Sequence, residues 1–345
     1  MGDGEATDFD TEVVALVRSL VSIPSVNPAV DASGSGEAAI AAACARWLED
    51  RGFSVTLIGR DPRRPSVLAV AGGTGGGRSL MINGHLDTVG VEGFAGDPFA
   101  ADAEDGRLRG RGAYDMKSGL AAAMVAAARA GSTPLRGDVV VTLVADEEFG
   151  SSGTEDALAR LLHDGTGIDG AVVVEPTGLA ITVAHRGFAW YRLDITGSAA
   201  HGSQPELGAD AIAAATEFLV ALRAFGHRLA ARTPHPLLGD STVRVSRIDG
   251  GTDAATVAAR CTVTVERRTL PGESHDGVLA ELSAVLATAA AGLPDGIRYA
   301  VTELVSRPAF EAADDSAIVA SVSAAVLEET GTVAARRGDP WWTDA

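Results

Sequence analysis

The sequence has few aromatic residues, few cysteines and no long apolar run. Phe, Trp and Tyr make up 5% of the 345 residues, whereas hydrophobic residues make up 46%. The hydrophobic cores must therefore consist mainly of Ala, Val, Leu and Ile. The two cysteines, Cys44 and Cys261, lie far apart in a helix-like and a strand-like stretch, so we expect two reduced, packed thiols and no disulfide. No apolar segment is long enough to span a bilayer.

Basic residues are scarce as well. Lys and Arg number 28 against 46 Asp and Glu, which gives a formal net charge of -18. Such an acidic chain binds nucleic acid or an anionic membrane poorly, and we expect neither as a partner. The opening segment MGDGEATDFDTE lacks the basic and apolar regions of a signal peptide, which predicts a cytoplasmic protein. The glycine-rich AGGTGGG at 71–77 lacks the spacing of a phosphate-binding loop and the Lys-Ser/Thr that would follow it.

The hydrophobic pattern predicts an α/β fold with two domains. In the first half, short all-apolar strands alternate with helical patterns, which is typical of a mostly parallel sheet flanked by helices. From residue 188 the order of predicted elements is β-α-β-β-α-β, the split-βαβ or ferredoxin-like arrangement. A helical pattern then returns. We therefore predict a larger domain formed by 1–186 and 300–345, with a smaller domain inserted at 187–299.

Histidine and carboxylate residues follow three of the apolar strands, and one more precedes a helix. The segments are INGHLD with His85 and Asp87, VTLVADEE with Asp146, Glu147 and Glu148, VVVEPT with Glu175, and the glycine-rich GRGAYDMKSG with Asp115. The carboxyl ends of the strands form the ligand crevice of an open α/β sheet. We therefore expect these side chains to meet at one edge.

This group of side chains has the composition of a metal site. One imidazole and several carboxylates, without a thiolate, suit zinc, cobalt or manganese acting on water. Two adjacent glutamates can have separate roles, in which one binds metal and the other acts as a general base. Taken singly, each residue has a simpler explanation: a packed His85, a solvated turn at Glu147 and Glu148, a helix N-cap at Asp115 and a loop acid at Glu175. Their combination at one sheet edge favours the metal site.

The same segments resemble those of a known family. The similarity lies in INGHLDTV, GRGAYDMKSGLAA, ADEEFGSSGT, VVVEPTGL, GSAAHGSQPELGADAI and ERRTLPGES, which span nearly the whole chain. They are similar to motifs of the acetylornithine deacetylase, succinyl-diaminopimelate desuccinylase, aminoacylase and carboxypeptidase G family of co-catalytic metallohydrolases. The resemblance implies a catalytic α/β domain with two divalent metal ions, zinc in the first place or else cobalt or manganese. It also implies that the inserted domain is a lid through which two copies form a homodimer.

The resemblance assigns metal ligands by position. His85, Asp115 and Glu175 would bind one metal ion, Asp115 would bridge to the second ion, and Glu148 would bind that second ion. Asp87 would orient the imidazole of His85, a common arrangement for ligating histidines.

The resemblance assigns three further roles in amide hydrolysis. Glu147 would be the general base that takes a proton from the attacking water. His201, in the lid, would reach the active site of a dimer partner and stabilise the oxyanion. Arg268 would pair with a free carboxylate on the substrate. Outside these motifs, His201 would be read as a loop histidine and Arg268 as a surface arginine.

Two features depart from the family pattern. The stretch ATVAARC has Ala255 and Ala258 where the family usually has Asn and Pro, in front of the strand that carries Arg268. The family also has a later segment with a strand, a Gly-Pro-Gly turn and a histidine that completes the second metal site. This sequence reads GDPWWTDA at that point and has no histidine after His275. We therefore expect the second metal site to lack its C-terminal histidine and the larger domain to lack a strand.

Three functions are compatible with the sequence. The first is a metal-dependent deacylase that hydrolyses N-acyl amino acids or related amides with a free carboxylate. The second is a dipeptidase or a glutamate-releasing carboxypeptidase with the same machinery. The third, suggested by the absent histidine, is a non-catalytic dimer that retains the fold and binds metal.

Overall fold

The computed structural model describes residues 8–345, so the segment on which we predicted no signal peptide lies largely outside the described residues. The helices are α1 (Asp8–Val21), α2 (Ala38–Glu49), α3 (Ser118–Gly131), α4 (Ser152–Asp164), α5 (Ala211–Ala230), α6 (His275–Ala290) and α7 (Ala317–Thr330). The strands are β1 (Ser54–Ile58), β2 (Ser66–Ala71), β3 (Leu80–His85), β4 (Asp102–Glu104), β5 (Arg107–Arg109), β6 (Val139–Val144), β7 (Gly170–Val173), β8 (Ile181–His185), β9 (Gly187–Thr196), β10 (Thr242–Gly250), β11 (Arg260–Thr269), β12 (Arg298–Arg307), β13 (Phe310–Glu311) and β14 (Arg336–Asp339). Two short helical segments, Ala113–Lys117 and Pro205–Leu207, complete the described elements.

The chain forms two compact units. The first comprises the chain up to Leu179 together with Asp315–Val333 and Thr343–Ala345, and the second comprises Ala180–Asp314 and Ala334–Trp342. The predicted inserted domain, 187–299, falls within the second unit. The limits that we predicted for the two domains stay a prediction.

The first unit is built on a five-stranded sheet with the order β1-β2-β6-β3-β7. β2 pairs antiparallel with both β1 and β6, whereas β3 pairs parallel with both β6 and β7. Four of the five strands therefore run in one direction, which confirms the predicted, mostly parallel α/β sheet. Every residue of β6 is buried, as expected for a strand covered on both faces.

Helices cover both faces of this sheet. The larger core lies between the sheet and α1, α2 and α3, and it includes Leu20, Met124 and Val141. On the opposite face a smaller cluster includes Met81 of β3 and Leu161 of α4. These side chains are aliphatic or thioether groups, in keeping with the low aromatic content.

The second unit contains a four-stranded antiparallel sheet with the order β10-β11-β9-β12. The chain order β9-α5-β10-β11-α6-β12 produces the predicted split-βαβ arrangement. Its core includes Leu193 of β9 and Val263 of β11, together with Phe218 of α5 and Leu282 of α6. The alternating burial along β9 thus reflects one face that packs under two helices.

A three-stranded sheet in the second unit was not predicted from the sequence. In it, β8 pairs antiparallel with β13 and parallel with β14. β13 has only two residues, and β14 reads RRGD, with three charged residues out of four. Strands of this kind carry no apolar run that would distinguish them from loops.

Both cysteines are free and buried, which confirms the prediction of two packed thiols. Burial raises the pKa of the Cys44 thiol to about 12. Among the helices of residues 8–345, none combines the length and the apolar character needed to cross a membrane.

A glycine lets α3 approach the end of β3. A Cβ atom at Gly84 would lie 2.7 Å from Cδ2 of Leu120 and 3.1 Å from Cε of Met116. Leu120 is completely buried. Because Gly84 leaves this space to Leu120, the loop in front of α3 lies directly beside His85, the last residue of β3.

Leu120→Ala should lower the free energy of unfolding by about 2–5 kcal/mol, since it leaves a cavity in a dry, closely packed site. Leu162→Ala in α4 is the matched control, because Leu162 is 80% exposed; its effect should stay within about 0.5 kcal/mol. Urea unfolding followed by circular dichroism measures both variants. Equal unfolding midpoints for the two variants would contradict the packing described for Leu120.

Candidate active site

The strand order of the first unit places His85 between two groups of carboxylates. β3 lies between β6 and β7, and the three strands are parallel. His85 is the last residue of β3, Glu147 and Glu148 follow β6, and Glu175 follows β7. The side chains therefore meet at the carboxyl edge of the sheet, as the sequence analysis expected.

The buried imidazole of His85 is the centre of this cluster. Its Nε2 lies 3.1 Å from Oδ1 of Asp115, 3.8 Å from Oε1 of Glu175 and 3.9 Å from Oε2 of Glu147. The side chains of Glu147 and Glu175 are each only 11% exposed, whereas that of Asp115 is 51% exposed. Asp115 thus forms the accessible side of the cluster.

The other ring nitrogen of His85 is held by the backbone. Nδ1 lies 2.9 Å from the carbonyl oxygen of Asp87. Because a carbonyl oxygen only accepts, Nδ1 carries a proton, and Nε2 is the ring nitrogen that becomes available to a ligand once it is deprotonated. The carboxylate of Asp87, 3.6 Å from Nδ1, accepts the backbone N–H groups of Glu147 and Glu148 at 3.1 Å each. Asp87 therefore contacts both the histidine and the turn that carries the glutamates.

Asp115 lies in an irregular segment in front of α3. Its backbone is extended, with φ -119° and ψ 101°, and the peptide bond to Met116 is cis. The N-cap of α3 is Lys117, so the explanation of Asp115 as a helix cap is wrong. The ammonium group of the buried Lys117 donates to the carbonyl oxygens of Leu20 and Ile23, which ties this segment to the end of α1.

Two sets of side chains in the cluster are arranged for metal binding. His85 forms one set with Glu147 and Glu175, and another with Asp115 and Glu148. Within each set, one ligand atom per residue lies within 4.8 Å of the others. An imidazole nitrogen with carboxylate oxygens is a donor set that zinc, cobalt and manganese accept, so the residues present fit a divalent cation.

Burial and mutual repulsion shift the proton affinities of the cluster. Burial, followed by the neighbouring carboxylates, raises the pKa of Glu148 and of Glu175 to about 7 and also raises the pKa of Glu147. Burial opposes the charged form of His85, but its hydrogen bonds with Asp115 and Asp87 outweigh that effect and raise its pKa well above the ordinary value. In the absence of a cation, the cluster therefore retains protons near neutral pH.

The structure adds residues that the sequence analysis did not assign to the site. Asn27 and Arg64 contact Asp146, the residue before the two glutamates. Asp344 accepts hydrogen bonds from the hydroxyl groups of Ser151 and Thr154, and its charge contributes to the raised pKa of Glu147. These contacts join segments far apart in the chain, so local spacing gave no signal for them.

His201 and Arg268 lie in the second unit. His201 is exposed, and its Nδ1 lies 2.8 Å from Oγ of Ser203. Arg268 forms an ion pair with the buried carboxylate of Glu266 at 2.9 Å, and Glu266 also accepts a hydrogen bond from Arg244. Two guanidinium groups thus share one carboxylate, which leaves a net positive charge around Arg268.

The segment that departs from the family pattern runs beside His201. His201 forms a backbone bridge with Thr256, and Gly202 donates its N–H to the carbonyl oxygen of Ala255. Ala258 is buried and accepts the N–H of Ala211 at the start of α5. Ala255 therefore contributes a backbone hydrogen bond to the loop that carries His201, and Ala258 contributes one to the start of α5.

Comparisons with known proteins agree with this architecture. The family model of the peptidase dimerisation domain matches residues 183–293, and that of peptidase family M28 matches residues 66–176. Over 330 residues the chain is 31% identical to an acetylornithine deacetylase of Proteus mirabilis, an alignment that covers 93% of this chain and 83% of the relative.

Solved structures share the fold. A metallo-carboxypeptidase of the M20 family from Sulfolobus solfataricus superposes with a TM-score of 0.76 at 17% identity, covering 97% of this chain and 86% of that one. A dinuclear metal-binding M20 peptidase from Bacillus subtilis superposes with a TM-score of 0.68 at 18% identity, covering 97% and 84%. At these identities the likeness concerns the fold.

The metal-free chain should become less stable as the pH rises from 5 to 7.5. The unfolded chain releases the protons of Glu148 and Glu175 near pH 4.3, whereas the folded chain holds them up to about pH 7. The folded state therefore binds more protons in this window, and its stability is lost as the pH passes through the folded pKa. The raised pKa of Glu147 acts in the same direction. Burial lowers the pKa of Lys117 to about 8, so its effect lies mainly above this window.

Urea unfolding in a chelating buffer at pH 5, 6, 7 and 7.5 measures this dependence. The double variant Glu148→Gln/Glu175→Gln should show a shallower slope, because it lacks the two titrating carboxyl groups. Adding Co²⁺ to the wild-type chain at pH 7.5 should raise the unfolding midpoint. A metal-free stability that increases with pH across this range would contradict the assignment of raised pKa values.

Proposed function

The chain belongs to the family of acetylornithine deacetylases and related M20 metallopeptidases, and from this premise we propose that it releases an amino acid from an N-acyl amino acid. It is a hydrolase of amide bonds, as its relatives are by name. The observation that carries the proposal is the cluster around His85, in which four carboxylate side chains from two further strand ends and one loop surround a single imidazole. Such a donor set suits cations that assist attack of water on a carbonyl.

In the proposed site, His85, Asp115 and Glu175 would hold one divalent ion, while Asp115 and Glu148 would hold a second. Zinc is the first candidate, with cobalt or manganese as alternatives. When bound, these cations supply an electrophile for the amide carbonyl and increase the acidity of water. Glu147 also lies within reach of His85 and Glu175, and we assign it to proton transfer because the family resemblance gives this position the role of the base.

In this proposal Glu147 acts as the general base. It takes a proton from the attacking water and then delivers this proton to the leaving amine as the amide C–N bond breaks. Burial raises the pKa of Glu147 in the metal-free chain, which is consistent with a side chain that can take up a proton. The carboxylate of Asp87 accepts the backbone N–H of Glu147 and so helps to hold the Glu147 residue in place.

The second unit contributes two further groups in this proposal. Arg268 binds the substrate carboxylate. Arg244 and Arg268 both pair with Glu266, and the resulting net positive charge favours this binding. His201 donates a hydrogen bond to the oxyanion of the tetrahedral intermediate in the active site of a partner copy. The match of residues 183–293 to a peptidase dimerisation domain supports a homodimer formed through this unit. A cytoplasmic location and the absence of a nucleic-acid or membrane partner stay predictions.

A dipeptidase or carboxypeptidase activity is the second candidate. The fold neighbours carry peptidase names, including the metallo-carboxypeptidase of the M20 family. The relative at 31% identity is a deacetylase, which is why we place the deacylase first. Measuring kcat/KM on a panel of N-acetyl amino acids, dipeptides and N-acyl glutamates distinguishes the deacylase from the peptidases. The substrate class with the highest kcat/KM identifies the activity.

Glu147→Gln should abolish turnover while leaving the metal content unchanged. The amide keeps the shape of the side chain but cannot accept the proton of water, so we expect kcat to fall by a factor of about 10²–10⁴. Glu49→Gln in the exposed part of α2 is the matched control and should retain wild-type activity. Hydrolysis of the best N-acetyl amino acid and elemental analysis of the same samples give both readouts.

Activity of the Glu147→Gln chain close to that of the wild type would refute its assignment as the base. A folded, metal-loaded wild-type chain that hydrolyses no member of the panel would refute the proposed function. That result would favour the non-catalytic, metal-binding dimer.

A further inference from the structure

A buried asparagine joins two carboxylates behind the metal cluster. Nδ2 of Asn27 lies 2.7 Å from Oδ2 of Asp87 and 3.3 Å from Oδ1 of Asp146. Asn27 and Asp87 are completely buried, and Asp146 is 7% exposed. Oδ1 of Asn27 accepts the N–H of Ala29 at 2.8 Å, which fixes the orientation of the amide. The amide therefore directs its donor group to both carboxylates.

Each carboxylate has other partners, but Asn27 is what links them. Asp146 forms an ion pair with Arg64 at 2.9 Å, and Arg64 also pairs with the buried Glu37. Within residues 8–345, no Lys or Arg forms an ion pair with both Asp87 and Asp146. Two buried carboxylates repel each other strongly. The amide of Asn27 offsets this repulsion and sets the separation of the two groups.

The two carboxylates hold the turn that carries the glutamates. Asp87 accepts the N–H groups of Glu147 and Glu148. Asp146 begins the turn with φ at 75°, a conformation that favours glycine and costs energy for other residues. Its carboxylate also accepts the hydroxyl of Ser152 at 2.7 Å. The contacts of the Asp146 side chain thus stabilise a backbone geometry that would otherwise relax.

We propose that Asn27 is a positioning residue of the active site. By bridging Asp87 and Asp146, it fixes the turn in which Glu147 faces the substrate and Glu148 faces the second cation. It contacts neither of them and acts through the two aspartates. This inference rests on the proposed function, because it presupposes the roles given to Glu147 and Glu148.

Asn27→Ala should lower kcat by about 10- to 100-fold with KM changed less than threefold, the range found when groups that orient metal ligands are removed. The affinity of the metal-free chain for Co²⁺, measured by calorimetry, should fall by a similar factor. Thr142→Val is the control, because it removes a buried hydrogen bond to Asn83 within the same sheet and touches none of the turn residues. Its kcat and Co²⁺ affinity should match the wild type.

A second substitution distinguishes positioning from a general loss of structure. If Asn27 acts by offsetting repulsion, removing one of the two charges should compensate for its loss. The double variant Asn27→Ala/Asp146→Asn should therefore recover at least about fivefold in kcat over Asn27→Ala. If Asn27 only fills space, Asp146→Asn should reduce activity further, since it also weakens the pair with Arg64.

The inference is overturned if Asn27→Ala keeps kcat and Co²⁺ affinity within threefold of the wild type, or if the double variant is less active than Asn27→Ala. Should Asn27→Ala not yield folded protein, Asn27→Leu takes its place, because it keeps about the same volume and removes the donor without adding a charge. Failure of the proposed function is a separate result. If the wild-type chain hydrolyses no substrate, Co²⁺ affinity alone tests the inference. The affinity should then be lower for Asn27→Ala than for the wild-type chain and should recover in the double variant.

Discussion

Repulsion between carboxylates packed at one sheet edge is the constraint on which the rest of the site depends. Glu147, Glu148 and Glu175 are largely buried around one imidazole, and burial raises the pKa of all three. Collecting so much negative charge in a low-dielectric site is unfavourable unless positive charge or protons offset it. In the described part of the chain, His85 and Arg64 are the cationic groups in contact with this network. Divalent cations at neutral pH, and protons at lower pH, therefore neutralise the remaining negative charge of the carboxylates.

The fold meets this constraint with two layers of residues, one that faces the crevice and one that supports it from behind. The carboxylates that face the crevice come from strand ends that the parallel order β6-β3-β7 brings together. Behind them, Asp87 accepts the backbone of the glutamate turn and Asn27 separates Asp87 from Asp146. Gly84 lets α3 approach, which brings Asp115 next to His85. Each supporting contact joins a different element, so the geometry of the cluster depends on the packing of the whole first unit.

The layer facing the crevice was predictable from the sequence, and so was Asp87 behind it, whereas the rest of the supporting layer was not. His85, Glu147 and Glu175 each follow an apolar run of the sequence. Asn27 contacts Asp87 across 60 residues, and Ser151 contacts Asp344 across 193. Such contacts depend on tertiary structure, and local spacing does not encode them. The same reason explains the missed strand β14, which is formed by RRGD and pairs only because β8 lies beside it.

The most direct test of the central claim is anomalous X-ray diffraction at the zinc edge from crystals of the purified chain grown with zinc. The account predicts two zinc ions in the first unit, one held by His85, Asp115 and Glu175 and the other by Asp115 and Glu148. Zinc bound only at other residues, with no anomalous density beside these four residues, would contradict it. That result would mean that protons and ion pairs alone stabilise the buried carboxylates.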